Sequence, residues 1–328
     1  MYHLIQTDEA RPVRTRQVVG FAVAVLLLAA AVWTLARDRE QLASTWESAG
    51  TGPWWMLTLW LLLPGANWVF SSRLAWALLR PQPLIDPDEA ADQPTLTKSE
   101  TYEVIGAAWL ANLLPLRAGL VSRVFYHKAA NRIPVGTTVR SVLASMVLGL
   151  VASLLLGAIS GGLLWAHLSP LSTLVALAVP YPVLLLIGAA SPVGDWGSIW
   201  TGGFGRWRLW DALAARYADI VCWMARYWAA FALVGAPISI AHAAVFAAVS
   251  QIVMLAPMPG NAIGLREWVI ALIGPLLPTW LGEDQGQLTQ QVCLAADLTN
   301  RAAEVLMTIV VGSACGALVT QRLRFRLP

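Results

Sequence analysis

SVLASMVLGLVASLLLGAISGGLLWAHLSPLSTLVALAVPYPVLLLIGAASPVG, residues 141–194, runs for 54 positions without an Asp, Glu, Lys or Arg, and its one histidine is His167. About 18 consecutive apolar residues are enough for a membrane-spanning helix. This run is long enough for two, so it folds back once. The simplest place is the polar and proline-containing WAHLSP at 165–170.

Upstream, residues 18–36 and 48–72 are also free of formal charge, over 19 and 25 positions. Across all 328 residues, 57% are hydrophobic and only 12% charged, where soluble proteins carry about a quarter charged residues. The solvent for such a chain is the bilayer. The first apolar run follows Arg11, Arg14 and Arg16 but ends in ARDRE rather than in small residues, which fits an uncleaved signal anchor better than a cleaved signal peptide.

The net charge of +3 does not indicate nucleic-acid binding here. The basic residues gather in loops beside the spans, where they report topology. Arginines precede the first span, and Arg322, Arg324 and Arg326 follow the last, so both termini are expected in the cytoplasm. The Pro- and Asp-rich linker at about 73–100 and the loop Pro192–Asp219 are expected on the same side, and EDQGQ at 283–287 outside. Tryptophans such as Trp54, Trp55, Trp196, Trp200, Trp207 and Trp210 fall near span ends, as in an interfacial belt. Cys222, Cys293 and Cys315 stand singly, without metal or disulfide spacing.

The expected fold is all-α: a polytopic membrane helical bundle with spans near 18–36, 53–72, 141–164, 171–190, 221–242 and 292–320. One transmembrane domain covers 18–320, after a cytoplasmic segment at 1–17 and before a basic tail at 321–328. Two further segments are too broken for ordinary spanning helices. The first is 104–130, VIGAAWLANLLPLRAGLVSRVFYHKAA; the second begins at Ala243 and passes through PMPGNAIGLRE at 257–267. LPLRAGL and MPGNAIGL each place a proline ahead of Gly-Leu with an arginine nearby, a weak internal repeat read as inverted. The sequence leaves open whether these hairpins are re-entrant or cross fully.

An unpaired backbone N–H or C=O in hydrocarbon costs several kcal/mol, so broken helices at membrane depth imply a protein-lined or watery cavity. Interrupted segments in two halves of a chain point to a transporter binding site, because half-helix N-termini attract anions. Arginine adds a planar fork of donors suited to phosphate or carboxylate. The candidate binding residues are therefore Arg117, Gly119, Arg123, Pro259, Gly260, Asn261, Gly264, Arg266, Glu267 and Arg301. The competing reading makes Arg117 and Arg123 cytoplasmic anchors and Arg266-Glu267 an interfacial turn. Adjacent residues on a helix do not face one another, however, so Arg266 and Glu267 each need a separate partner.

In the last span, Asp297, Arg301 and Glu304 fall at i, i+4 and i+7, a spacing that gathers them on one helix face as a buried charge network. They serve either function or a structural ladder. Arg226 is read as structural, pairing with Asp219 or stacking on Trp223 or Tyr227.

LLPLRAGLVSR with its basic sequel, MPGNAIGLREWVIALIG and LTNRAAEVL together resemble the flippase-like transmembrane family. That family includes the membrane half of lysylphosphatidylglycerol synthases, and some relatives are linked to hopanoid biosynthesis. The resemblance covers about residues 18–320, and its most specific part is Pro259, Gly260, Gly264, Arg266 and Glu267. It implies movement of a lipid between leaflets or assistance to a lipid-modifying pathway. Leu120 stands where the family pattern has glutamate, which puts any role of that carboxylate in doubt. No aminoacyl-transferring domain follows RLRFRLP, so no aminoacylation is expected.

Three functions compete. The first is a transporter or flippase for an anionic lipid headgroup. The second is a lipid-modifying membrane enzyme, against which stands the lack of any metal, paired-acid or Gly-x-Ser-x-Gly motif. The third is a scaffold for a lipid-biosynthesis partner protein. No cofactor, metal or nucleic-acid partner is expected. Arginine outnumbers lysine 20 to 2, a usage that suggests a high-GC bacterium and hence its inner membrane.

Overall fold

The computed structural model describes residues 54–80, 96–113, 118–166, 169–190, 206–255, 264–277 and 288–326, together with Leu26, Ala29 and Trp33. Among the described residues the fold is all-helical. In chain order the helices are α1 (Trp54–Leu79), α2 (Lys98–Ala111), α3 (Ala118–Asn131), α4 (Val135–Trp165), α5 (Pro170–Ala178), α6 (Pro180–Ala190), α7 (Arg206–Leu233), α8 (Ile240–Met254), α9 (Leu265–Ile273) and α10 (Gln290–Arg326).

Among the described residues, three stretches are long and apolar enough to cross a membrane: Val135–Trp165, Pro170–Ile187 and Gln290–Phe325. Their outer faces are apolar, with Leu143, Val147, Leu154 and Val310 all exposed, a pattern suited to lipid rather than water. The 54-residue uncharged run is divided between helices at WAHLSP. Helix α4 stops at Trp165, and the Ser169 hydroxyl accepts from the Ser172 N–H at 3.2 Å to cap α5, which begins at Pro170. The stretch expected at 53–72 lies within the longer α1. The stretch expected at 18–36 lies outside the described residues apart from Leu26, Ala29 and Trp33, which are helical.

The span expected at 221–242 is not one helix. Helix α7 begins at Arg206 and ends at Leu233, and α8 starts afresh at Ile240. The stop is local: Gly235 has φ 77°, and Ala236 N–H reaches back to the Phe231 carbonyl at 3.0 Å, closing the last turn ahead of Pro237. Ser239 then caps α8 at the His242 N–H. The loop expected at 192–219 is likewise corrected, because residues 206–219 already belong to α7. Their charges, Arg208, Asp211, Arg216 and Asp219, looked like a loop signature. Each has instead a partner on a neighbouring helix or its own, as when Arg73 of α1 pairs with Asp211 at 2.9 Å. Gly235→Ala, which forces an L side chain into left-handed backbone, is expected to lower stability by about 1 kcal/mol or more. The thermal midpoint of the detergent-purified protein measures it.

Helix α7 is the axis of the bundle and packs on α1, α4, α6, α8 and α10. One side of it is apolar: Tyr217, Ile220, Tyr227 and Phe231 are fully buried, and Phe231 stacks on Phe246 of α8 with ring centroids 5.0 Å apart. Its other side carries Arg216, Asp219 and Arg226 inward. That polarity positions the site.

Both expected broken segments have a helix on each side of the break. Helices α2 and α3 flank 112–117 and pack on each other, as do α8 and α9 across 255–264. Helix α10 contacts both α2 and α9. Gly119 permits the close α2–α3 approach, since a Cβ there would run into the Ala108 carbonyl and the Asn112 side chain.

Candidate functional site

Helix α9 starts at Gly264, whose φ of 84° only glycine adopts easily. Its N–H donates to Glu267 Oε2 at 2.7 Å, so the carboxylate three residues along caps its own helix. That bond turns Glu267 back toward the helix start and leaves Arg266 pointing into the bundle. Both side chains are fully buried.

Arg266 does find separate partners, as the adjacency of the two residues required. Its Nε lies 3.1 Å from Asp297 Oδ2, and its Nη1 lies 3.3 Å from Glu304 Oε2, both on α10. The 4.0 Å separation from Glu267 is at the edge of an ion pair. Asp297 also accepts from the Tyr227 hydroxyl at 2.6 Å. Arg301 Nη1 lies 3.2 Å from Glu304 Oε2, and Arg301 Nε lies 3.7 Å from Glu267 Oε1. Arg301 therefore pairs with Glu304 at i+3 and across to α9, and not through the i, i+4 spacing to Asp297 that the sequence suggested.

The third guanidinium comes from α7. Arg226 donates to Asn300 Oδ1 at 2.9 Å and to Asn67 Oδ1 at 3.1 Å, approaches Glu304 Oε2 at 3.5 Å, and lies 3.8 Å above the Trp223 ring. The expected stacking on Trp223 is present. One carboxylate oxygen thus gathers three arginines, while Arg226, Arg266 and Arg301 balance Glu267, Asp297 and Glu304 in formal charge. Unpaired, each such group would be very costly in a low-dielectric interior; paired and hydrogen-bonded, the set holds together.

Asn67 extends the network to a second pair. Its Nδ2 donates to Asp219 Oδ1 at 2.8 Å, Asp219 pairs with Arg216, and Arg216 Nη2 donates to Gln251 of α8 at 2.8 Å. Five helices, α1, α7, α8, α9 and α10, are therefore tied by one polar chain.

This chain forms a wall of a cavity of about 310 Å³. Arg123, Arg216, Arg226 and Arg301 line it, against the carboxylates Asp219 and Glu304. The cations outnumber the anions by two. Arg123 arrives from α3, and its Nε is buried with no hydrogen-bond partner among the described residues. Apolar and small side chains of α1, α2 and α4 complete the enclosure. The arrangement suits an anion, held by forked donors with a greasy surround.

No family model, curated protein or solved structure matches this chain. The site must be read from its own chemistry.

Of the sequence candidates, Arg123 and Arg301 line the cavity with Glu304. Arg266, Glu267 and Asp297 stand behind that wall, buried in the network. Gly119 lets α3 approach α2 closely, and Gly264 starts α9. Arg117, Pro259, Gly260 and Asn261 lie outside the described residues. Sequence reasoning missed Asn67, Arg216, Asp219, Gln251 and Asn300, and assigned Arg226 only a structural role. The available signal was five charges, Arg208, Asp211, Arg216, Asp219 and Arg226, spread through an otherwise largely apolar stretch, since a helix carrying them needs a polar face somewhere. Among the described residues no group of three or more His, Cys, Asp or Glu is placed to hold a metal ion.

Proposed function

We propose that this chain is a flippase-like membrane transporter that binds and moves an anionic lipid headgroup, and that it acts by binding rather than as an enzyme. The carrying observation is the cavity inside an apolar-faced helical bundle, where four arginines meet two carboxylates. A phosphate entering there exchanges its hydration for guanidinium forks, and acyl chains remain beside apolar helix faces. The likeness of the PMPGNAIGLRE and LPLRAGL segments to the flippase-like family supports the same reading. In this reading both termini are cytoplasmic and the membrane is a bacterial inner membrane.

Leaflet exchange of fluorescent anionic and zwitterionic phospholipids in liposomes containing the purified protein tests it. Wild type is expected to accelerate exchange of the anionic probe preferentially. Arg123→Gln is expected to slow that exchange by about 10- to 100-fold, because a charge-assisted hydrogen bond to an anion is worth about 1.5–3 kcal/mol. Equal rates for both probes, or a variant as fast as wild type, would overturn the proposal.

A further inference from the structure

The three carboxylates of the network are not equivalent. Glu304 Oε2 faces Arg226, Arg266 and Arg301 within 3.5 Å. Asp297 uses one oxygen for the Tyr227 hydroxyl at 2.6 Å and the other for Arg266 Nε at 3.1 Å. Glu267 is different. Its Oε2 takes the Gly264 N–H, but its Oε1 is buried with no hydrogen-bond partner among the described residues, with Arg301 Nε at 3.7 Å and Arg266 at 4.0 Å.

Arg301 also lines the cavity, whereas Glu267 does not. One guanidinium thus stands between the anion site and a buried carboxylate that holds it only loosely. An incoming phosphate oxygen competes for Arg301. As Arg301 turns to it, Glu267 loses its nearer countercharge in a place where an unpaired carboxylate is expensive, and the least costly response is to bind a proton.

Of the other ionisable groups about Glu267, Arg266 keeps its Nη2 4.0 Å from Oε1, beyond hydrogen-bond reach. Its single charge is shared with Asp297 and Glu304, the two carboxylates of α10 that add negative charge beside Glu267. From α7 come Arg226, held by Asn300, Asn67 and Glu304, and the Tyr227 hydroxyl, held by Asp297. Helix α8 brings only His242 at its first turn, where Nδ1 meets Ser239 Oγ at 2.7 Å.

We infer that Glu267 is a proton-binding site coupled through Arg301 to the anion cavity, so that the chain carries a proton together with the anionic headgroup. The inference rests on the transporter reading above. Linkage is reciprocal: if the bound anion raises the proton affinity of Glu267, the proton raises anion affinity by the same factor, and the two travel in the same direction. The proton enters on Glu267 Oε1 from the acidic side and leaves on the alkaline side with the headgroup, restoring the Glu267–Arg301 contact. Buried carboxylates in membrane proteins recur as such proton carriers.

The test uses the full chain in phosphatidylcholine liposomes with a fluorescent anionic phospholipid, a pH gradient of about two units and the membrane potential clamped. The expected result is net accumulation of probe in the leaflet facing the alkaline side, up to about tenfold per pH unit for one-to-one coupling, with acid entry reported by a trapped pH dye. Glu267→Gln keeps an oxygen for the Gly264 N–H but cannot cycle a proton, so the ratio of gradient-driven to symmetric exchange falls to one. Exchange in wild type that ignores the gradient would overturn the coupling and leave the transporter reading intact. No exchange in wild type under any gradient would overturn both. Because the wild-type gradient response decides the matter alone, a poorly folded variant does not obscure it.

Discussion

Arg266→Ala is expected to destabilise the folded bundle by about 3–5 kcal/mol, the range for breaking a buried ion pair by removing one member. Arg266 is fully buried, bonded to Asp297 at 3.1 Å and to Glu304 at 3.3 Å. Alanine leaves Asp297 with only the Tyr227 hydroxyl and shifts the network from neutral to one negative charge in a low-dielectric interior. Arg266→Lys keeps the charge but not the fork that reaches two carboxylates, so an intermediate loss is expected. Denaturation of the detergent-purified protein measures both. If the pair is the cause, Asp297→Asn added to Arg266→Ala costs less than the sum of the single changes, with a coupling of about 0.5–3 kcal/mol. Strict additivity would place the effect in lost packing instead.

Arg266 also marks how far sequence reasoning reached. Adjacency of Arg266 and Glu267 required two separate partners, and the structure supplies them: α10 for the arginine, and Gly264 N–H with Arg301 for the glutamate. The spacing of Asp297, Arg301 and Glu304 correctly put three charges on one face, since 3.6-residue periodicity is local and needs no tertiary knowledge. Which charge meets which was not readable. Arg301 prefers Glu304 and Glu267 because Arg266, from a distant segment, already occupies Asp297.

The remaining members have no local pattern at all. Asn67 meets Asp219 across 152 positions and Arg226 across 159. One asparagine in an apolar helix is compatible with a lipid-facing, core or site position alike. The α7 error has the same root. Charges at 206–219 read as a soluble loop because charge density is judged along the chain, whereas α7 turns them toward α1, α4 and α8 and keeps its apolar side on Phe246. Apolar length, by contrast, needs no partner, so the runs at 141–190 and 292–320 were legible as long helices.

Gly312→Leu is expected to open the cavity from a position that touches no charge. A Cβ at Gly312 would lie 2.5 Å from Leu110 Cβ and 3.2 Å from the Gly106 carbonyl, and a Cβ at Gly106 would in turn lie 2.5 Å from Cys315 Sγ. Helices α2 and α10 meet through these small residues, the packing by which membrane helices approach closely. Helix α2 supplies Ile105, Ala108, Trp109 and Asn112 to the cavity wall. A leucine therefore pushes that wall off α10, at a cost of about 1–3 kcal/mol for overpacking, and anionic-lipid exchange falls with it. Gly316 is the internal control. It lies four residues further along α10, with nothing within 4 Å of a built Cβ. Both changes remove a glycine from the same helix and gain the same helix propensity, so that contribution cancels between them. Gly316→Leu is expected to cost nothing and to gain up to about 1 kcal/mol from helix propensity. A shared loss would indicate a need for glycine flexibility in α10, whereas loss confined to Gly312 locates the effect in the α2–α10 seam that closes the site.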